Sequence, residues 1–248
     1  MRKLDRRSVL SAFGSIAAFV PALLRAQPRP AWHGFVVESG TRSRSDYAVG
    51  ILVCSRPTSH VTALRSLRSR AWFIPNTRRG YFRPLRYSST DRRRVDFARL
   101  SLQNFRDQSD MFVSQVRHGG RWPDNASGRD AVQLQMYTRT VAQIPQAQRT
   151  NLTLHVIRRT RNGRDLQLLD TVRRRFGSQI SISEDGQNYK DLMGLASLIV
   201  GSIGAEQTRA IRSPTKLLLQ ADLRRSLNVP NLTSAQLSQT RKVKATIA

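Results

Sequence analysis

Apolar and polar positions along this chain switch repeatedly between a two-residue and a helical period. Trp32 to Glu38 and Tyr47 to Cys54 are short apolar runs joined by the polar stretch Gly40-Thr41-Arg42-Ser43-Arg44-Ser45, and they predict a β-hairpin. Pro57-Thr58-Ser59 then opens a helix with Val61, Leu64 and Leu67 on successive turns. Residues 75–90, with Pro75, Gly80 and Pro84, read as loop with room for one short strand. Helical spacing returns over Asp91 to Arg106, a strand over Met111 to Val116, and a helix at about 130 to 144 after the breakers Gly119, Gly120, Pro123 and Gly128. The alternation continues with a strand at Leu152 to Ile157, a helix over 164–176, a strand at Ile180 to Ser183 and an apolar helix from Asn188 to about Ala205. Strands alternating with helices predict an α/β sheet layered by helices. Residues 206–248, with Pro214, Pro230 and the polar Thr233 to Lys244, read as a peripheral helix and a loose basic tail.

Composition adds charge to this picture. The 248 residues are 39% hydrophobic, enough to bury a sizeable core, and carry 42 basic against 16 acidic side chains, a formal net charge of +26. Lysine occurs only at positions 3, 190, 216, 242 and 244, so the charge is almost entirely arginine. Guanidinium groups stay charged and fork onto phosphate, which makes a polyanion such as nucleic acid the natural partner. The bland alternative is a solvated arginine surface. Cys54 is the one cysteine, sits in an apolar run, and reads as a buried structural thiol.

The N-terminus looks like an export signal. Asp5-Arg6-Arg7-Ser8-Val9-Leu10 resembles the twin-arginine pattern, and an uncharged segment from Ser8 to Leu24 follows before Arg25 and Ala26. Residues 1–26 are therefore expected to be a signal segment that is cleaved or weakly anchoring, and the chain an exported, periplasmic protein, with a cytoplasmic one as the alternative. Removing Arg2, Lys3, Arg6, Arg7 and Arg25 together with Asp5 leaves the remainder strongly basic.

Four segments carry a family resemblance over roughly residues 32–205. They are the strand ending Glu38-Ser39-Gly40, the strand Ala48 to Val53, the stretch Leu85-Arg86-Tyr87-Ser88-Ser89, and Asp191-Leu192-Met193-Gly194-Leu195-Ala196-Ser197-Leu198-Ile199-Val200-Gly201. In their order they resemble the domain of unknown function 3800 family, which is similar to ribonuclease H-like proteins and associated with metal-dependent nuclease activity. The resemblance implies a ribonuclease H-like mixed sheet flanked by helices. It also implies an acidic centre, and here the chain departs from the pattern. The family's opening Asp-Glu-Ser-Gly reads Val37-Glu38-Ser39-Gly40, the closing helix has Met193, Gly194 and Ser197 where Gln and Asp are usual, and the middle strand runs into Ile157-Arg158-Arg159.

Two-metal phosphodiester cleavage needs several carboxylates holding hard cations about 3.5–4 Å apart. Glu38 and Asp185 are the candidate catalytic and Mg²⁺- or Mn²⁺-ligating residues, with Glu184 or Asp191 as supplements, and they make at best a reduced site. Arg158 and Arg159 repel a cation and attract phosphate. With Arg78, Arg79, Arg83 and Arg86, which are interleaved with Tyr81, Phe82 and Tyr87, they are the candidate nucleic-acid contacts. Arg92-Arg93-Arg94 and Arg173-Arg174-Arg175 each run around a predicted helix, so part of each is solvated. Gly194, Ser197, Gly201 and Gly204 recur at three- and four-residue steps and predict a close-packing helix face. His33, His60, His118 and His155 show no ligand spacing.

The sequence thus predicts an α/β, ribonuclease H-like domain, degenerate as an enzyme, that binds a polyanion and nucleic acid first. A surviving Mg²⁺- or Mn²⁺-dependent nuclease using Glu38 and Asp185 competes with this, as does an exported envelope protein that binds acidic polymers.

Overall fold

The computed structural model describes residues 31–40, 47–71, 86, 87, 90, 94–157, 164–207 and 213–247. The proposed signal segment, Arg78, Arg79, Tyr81, Phe82, Arg83, Arg158 and Arg159 lie outside the described residues. Six strands form one mixed sheet: β1 (Trp32–Ser39), β2 (Ala48–Cys54), β3 (Phe112–Arg117), β4 (Leu152–His155), β5 (Ile180–Ser183) and β6 (Val243–Ile247). Their order is β5-β4-β1-β2-β3-β6, and β2 alone runs against the other five. The helices are α1 (Pro57–Arg70), α2 (Val95–Asp107), α3 (Ala126–Ala142), the short α4 (Gln146–Arg149), α5 (Arg164–Phe176), α6 (Lys190–Gln207), α7 (Pro214–Leu227) and the short α8 (Ser234–Ser238). This is an α/β mixed sheet flanked by helices, as expected, and it is consistent with the ribonuclease H-like fold that the family resemblance implies.

Burial on both faces explains the unbroken apolar runs of β1 and β2. Phe35, Val37, Ala48, Leu52 and Cys54 point into a core shared with α6, α1, α2 and α7. Val36, Val49, Ile51 and Val53 point the other way, onto α3 and α5. Every residue of β2 is buried, and the Cys54 thiol is pushed up to about 12 by burial and the nearby Asp110 carboxylate.

α6 is apolar nearly all round because it lies inside the molecule, over β1 and β2. Small residues on both surfaces permit that approach. A Cβ on Gly50 of β2 would fall 2.2 Å from Val200 Cγ2, and one on Gly201 of α6 would fall 2.8 Å from Tyr87 Cβ and 3.2 Å from Ser39 Oγ. Among the described residues no helix is long and apolar enough to cross a membrane.

The C-terminal stretch differs from its reading as a peripheral helix and loose tail. α7 drives Leu219, Leu223 and Leu227 into the core, and β6 pairs in parallel with β3 from Val113↔Val243 to Arg117↔Ile247. The α/β layer therefore extends well past residue 205. Alternation decides it: Val243 and Ala245 turn inward on either side of Lys244. The Lys242 ammonium, moreover, is not free in solvent but donates to the carbonyls of Phe105 (2.8 Å), Met111 (3.2 Å) and Gln108 at the C-terminal end of α2.

Candidate functional site

Strand alternation assigns Glu38, like Val36, to the α3 face of β1. Asn125 caps α3, its side chain accepting from Gly128 N at 2.6 Å, so the helix begins before the predicted residue 130. Gln133 and Tyr137 follow one turn apart on its buried side. Both donate to Glu38 Oε1, Gln133 Nε2 at 2.7 Å and Tyr137 Oη at 2.7 Å, and Gln133 Nε2 also reaches Tyr47 Oη at 3.2 Å. The ring of Tyr47 meets the edge of Trp122 with centroids 5.2 Å apart. Glu38 thus accepts from two side chains on the buried side of α3.

Asp185 belongs to the other face. It opens the 3-10 turn Asp185–Tyr189 just after β5, and its Oδ1 receives a 2.5 Å hydrogen bond from His155 Nδ1. Burial by itself would raise the Asp185 pKa, but the hydrogen bonds from His155 and Ser183 outweigh it and hold the carboxyl below its ordinary range. His155 ends β4, in register with Phe35 of β1, and its second nitrogen, Nε2, lies 2.9 Å from His33 Nδ1. The buried imidazole of His155 is packed by His33 (5.1 Å between centroids), Phe35 (5.0 Å) and Tyr189 (4.8 Å).

The sheet therefore stands between the two carboxylates expected to share metal. Glu38 faces α3, whereas Asp185 is bonded to a histidine stacked with Phe35 on the α6 side. The supplements do not repair this. Glu184 is exposed, and Asp191, buried in the first turn of α6, pairs with Arg68 (2.9 Å) and Arg65 (3.7 Å). Burial raises the Asp191 pKa despite those arginines. Among the described residues no three His, Cys, Asp or Glu side chains are grouped to hold a metal ion. The described side chains do not assemble a two-metal centre.

Of the candidate phosphate contacts, Arg86 is described and exposed. Its neighbour Tyr87 is no stacking platform. It is buried against Gly201, its hydroxyl accepts from Gln220 Nε2 at 3.4 Å, and Lys216 Nζ sits 5.2 Å from its ring centroid. Arg173, Arg174 and Arg175 are exposed, the first two drawn onto Asp170 at 2.7 and 3.4 Å.

No ligand spacing in the sequence marks the pairing of His33 with His155, since the two lie 122 residues apart. What brings them together is the parallel register of β1 on β4, which no local pattern encodes. Comparison with protein-family models, with curated proteins and with solved structures returned no match.

Proposed function

We propose that this chain is a polyanion-binding protein, with nucleic acid as the favoured ligand, built on the nuclease-type scaffold of the domain of unknown function 3800 family but degenerate as a metal-dependent nuclease. One observation carries the reading: in a chain of net charge +26, the two carboxylates that a metal centre would need, Glu38 and Asp185, are bonded to different partners on different faces of the sheet. A basic protein of this kind gains affinity from phosphate contacts and counterion release, and needs no metal for either. Arg70, Arg129, Arg139 and Arg175 are exposed and available for such contacts. The twin-arginine-type segment at residues 1–26 supports export to the periplasm, and such a signal is compatible with a compact α/β domain.

The test incubates the purified protein with labelled single- and double-stranded RNA and DNA, in Mn²⁺ or in chelator, beside a Glu38→Ala control. Retardation that survives chelator and falls steeply with salt supports the reading. Cleavage that requires Mn²⁺ and is lost in Glu38→Ala overturns it and establishes a working metal site. Stronger retention by acidic envelope polymer than by nucleic acid overturns the choice of ligand.

A further inference from the structure

His155 occupies a position where an aromatic ring alone would pack. Its side chain is 4% exposed between Phe35, Tyr189 and His33, yet both its nitrogens are hydrogen-bonded, and both partners are ionisable. With Asp185 ionised and the His155 ring neutral, His155 Nδ1 carries the hydrogen and its Nε2 accepts, so His33 Nδ1 donates to it. One basic lone pair is left, on His33 Nε2. The chain has solvent at both ends, since His33 is half-buried and the Asp185 side chain is 36% exposed.

We propose that Asp185, His155 and His33 form a proton relay that makes His33 Nε2 a metal-independent general base, and that its substrate is RNA. The inference rests on the polyanion reading given above. A relay of this kind removes a proton from a hydroxyl, and RNA carries its own hydroxyl beside each phosphodiester, whereas DNA does not. His33 Nε2 takes the proton of a 2′-hydroxyl as that oxygen attacks the adjacent phosphorus. The His33 Nδ1 proton passes to His155 Nε2, and the resulting imidazolium is stabilised by the Asp185 carboxylate, as in other carboxylate–imidazole pairs. The bond from phosphorus to the 5′-oxygen breaks, the protons shift back, and His33 Nε2–H protonates the departing oxygen. The products are a 2′,3′-cyclic phosphate and a 5′-hydroxyl, with no net proton taken up and no co-reactant consumed.

The surroundings suit a base. Among the described residues, His155 from β4 and Asp185 from the turn after β5 act on His33, and Cys54 on β2 is its register partner. Burial, and secondarily His155, lower the His33 pKa against the pull of Asp185, so the unprotonated form prevails at neutral pH. His33 is the catalytic residue of the proposal; His155 and Asp185 position it and store the proton.

The experiment follows the purified protein with labelled RNA and with DNA of the same sequence, both in chelator, and reads binding, cleavage and the chemistry of the new ends. RNA cut to 2′,3′-cyclic phosphate ends, with DNA bound but intact, is the expected result. His33→Gln should retain binding and lose about 100-fold or more in rate. Asp185→Asn keeps both imidazoles but removes the charge that stabilises the imidazolium, so its rate should fall and the acid limb of its pH–rate profile move to lower pH. A merely structural Asp185 would leave that limb in place. RNA that is bound but uncut in chelator, or His33→Gln cutting as fast as the parent, overturns the relay and leaves the binding function standing. Absence of RNA binding, or cleavage that needs Mn²⁺, overturns both.

Discussion

Three donors converge on Asp110: Ser55 Oγ at 2.8 Å, His60 Nε2 at 3.0 Å and Arg56 at 3.2 and 3.3 Å. Burial alone would raise the pKa of this carboxyl, but the bonds from Arg56, His60 and Ser55 outweigh it and hold the group well below the usual carboxylate range. The Arg56 guanidinium is 60% exposed and solvent-screened, so its contribution to stability is smaller than its two contacts suggest. The sign follows from linkage. A depressed folded-state pKa means that the unfolded chain binds more protons, so the contribution is complete above the unfolded value of about 3.9 and is lost as pH falls toward the folded one. Asp110→Asn should cost about 1–3 kcal/mol at neutral pH, a difference that shrinks in acid below about pH 4. Denaturant midpoints of the two proteins across pH check this. A constant difference through the acid range would show that the carboxylate's charge is not what matters.

Lys242 joins two elements that are far apart in sequence, and its ammonium adds to the β3–β6 ladder and the burial of Val243 and Ala245 in docking a tail rich in basic residues. The last carbonyls of α2 have no partner within the helix, and a cation suits the negative end of its dipole. Burial lowers the Lys242 pKa, with Asp110 and Asp107 acting against it. Lys242→Met keeps the stem over Phe105 but leaves the carbonyls of Phe105, Gln108 and Met111 without their donor. The expected cost is about 1–3 kcal/mol, with hydrogen exchange speeding up selectively along the β3–β6 ladder. Uniform acceleration over all strands would instead place Lys242 in the global core. The same residue explains what the sequence hid. β1, β2 and α6 were legible because each buries a nearly continuous apolar run, whereas β6 alternates apolar residues with lysines and resembles a solvated tail until its partner strand is known. His33 and His155 were hidden for a related reason: each looks like an isolated polar residue within its own strand, and only the register of β1 against β4 makes a pair of them. Glu38 stood out as a carboxylate at a strand end, but its partners Gln133 and Tyr137 lie on a helix some 95 to 99 residues later.

At the scale of the whole molecule the governing quantity is the excess of arginine, and its consequence is measurable without knowing the site. Each phosphate that a guanidinium neutralises releases condensed counterions, so the logarithm of the affinity falls linearly with the logarithm of salt, by about 0.9 per contact on duplex DNA and about 0.7 on single strands. Some described arginines are already committed internally: Arg68 to Asp191, Arg99 to Asp222 and Arg224 to Glu206 hold elements together and are poor candidates for phosphate. Exposed groups such as Arg70, Arg129 and Arg175 remain for that work. If six to ten contacts form, affinity should drop by roughly 10³ to 10⁵ between about 50 and 200 mM salt. Replacing Arg70 or Arg129 with alanine should reduce the slope by about one contact when that side chain touches phosphate, and leave folding stability within about 0.5 kcal/mol because neither is buried. Arg68→Ala should behave in the opposite way, destabilising the fold by removing the closer of the two arginine partners of the buried Asp191 carboxylate while leaving the salt slope unchanged. Fluorescence titrations against a labelled oligonucleotide over a salt series, run beside thermal melts of the same variants, separate the two classes. A salt-independent affinity, or slopes that none of the exposed arginines alters, would mean that the net charge serves something other than polyanion binding.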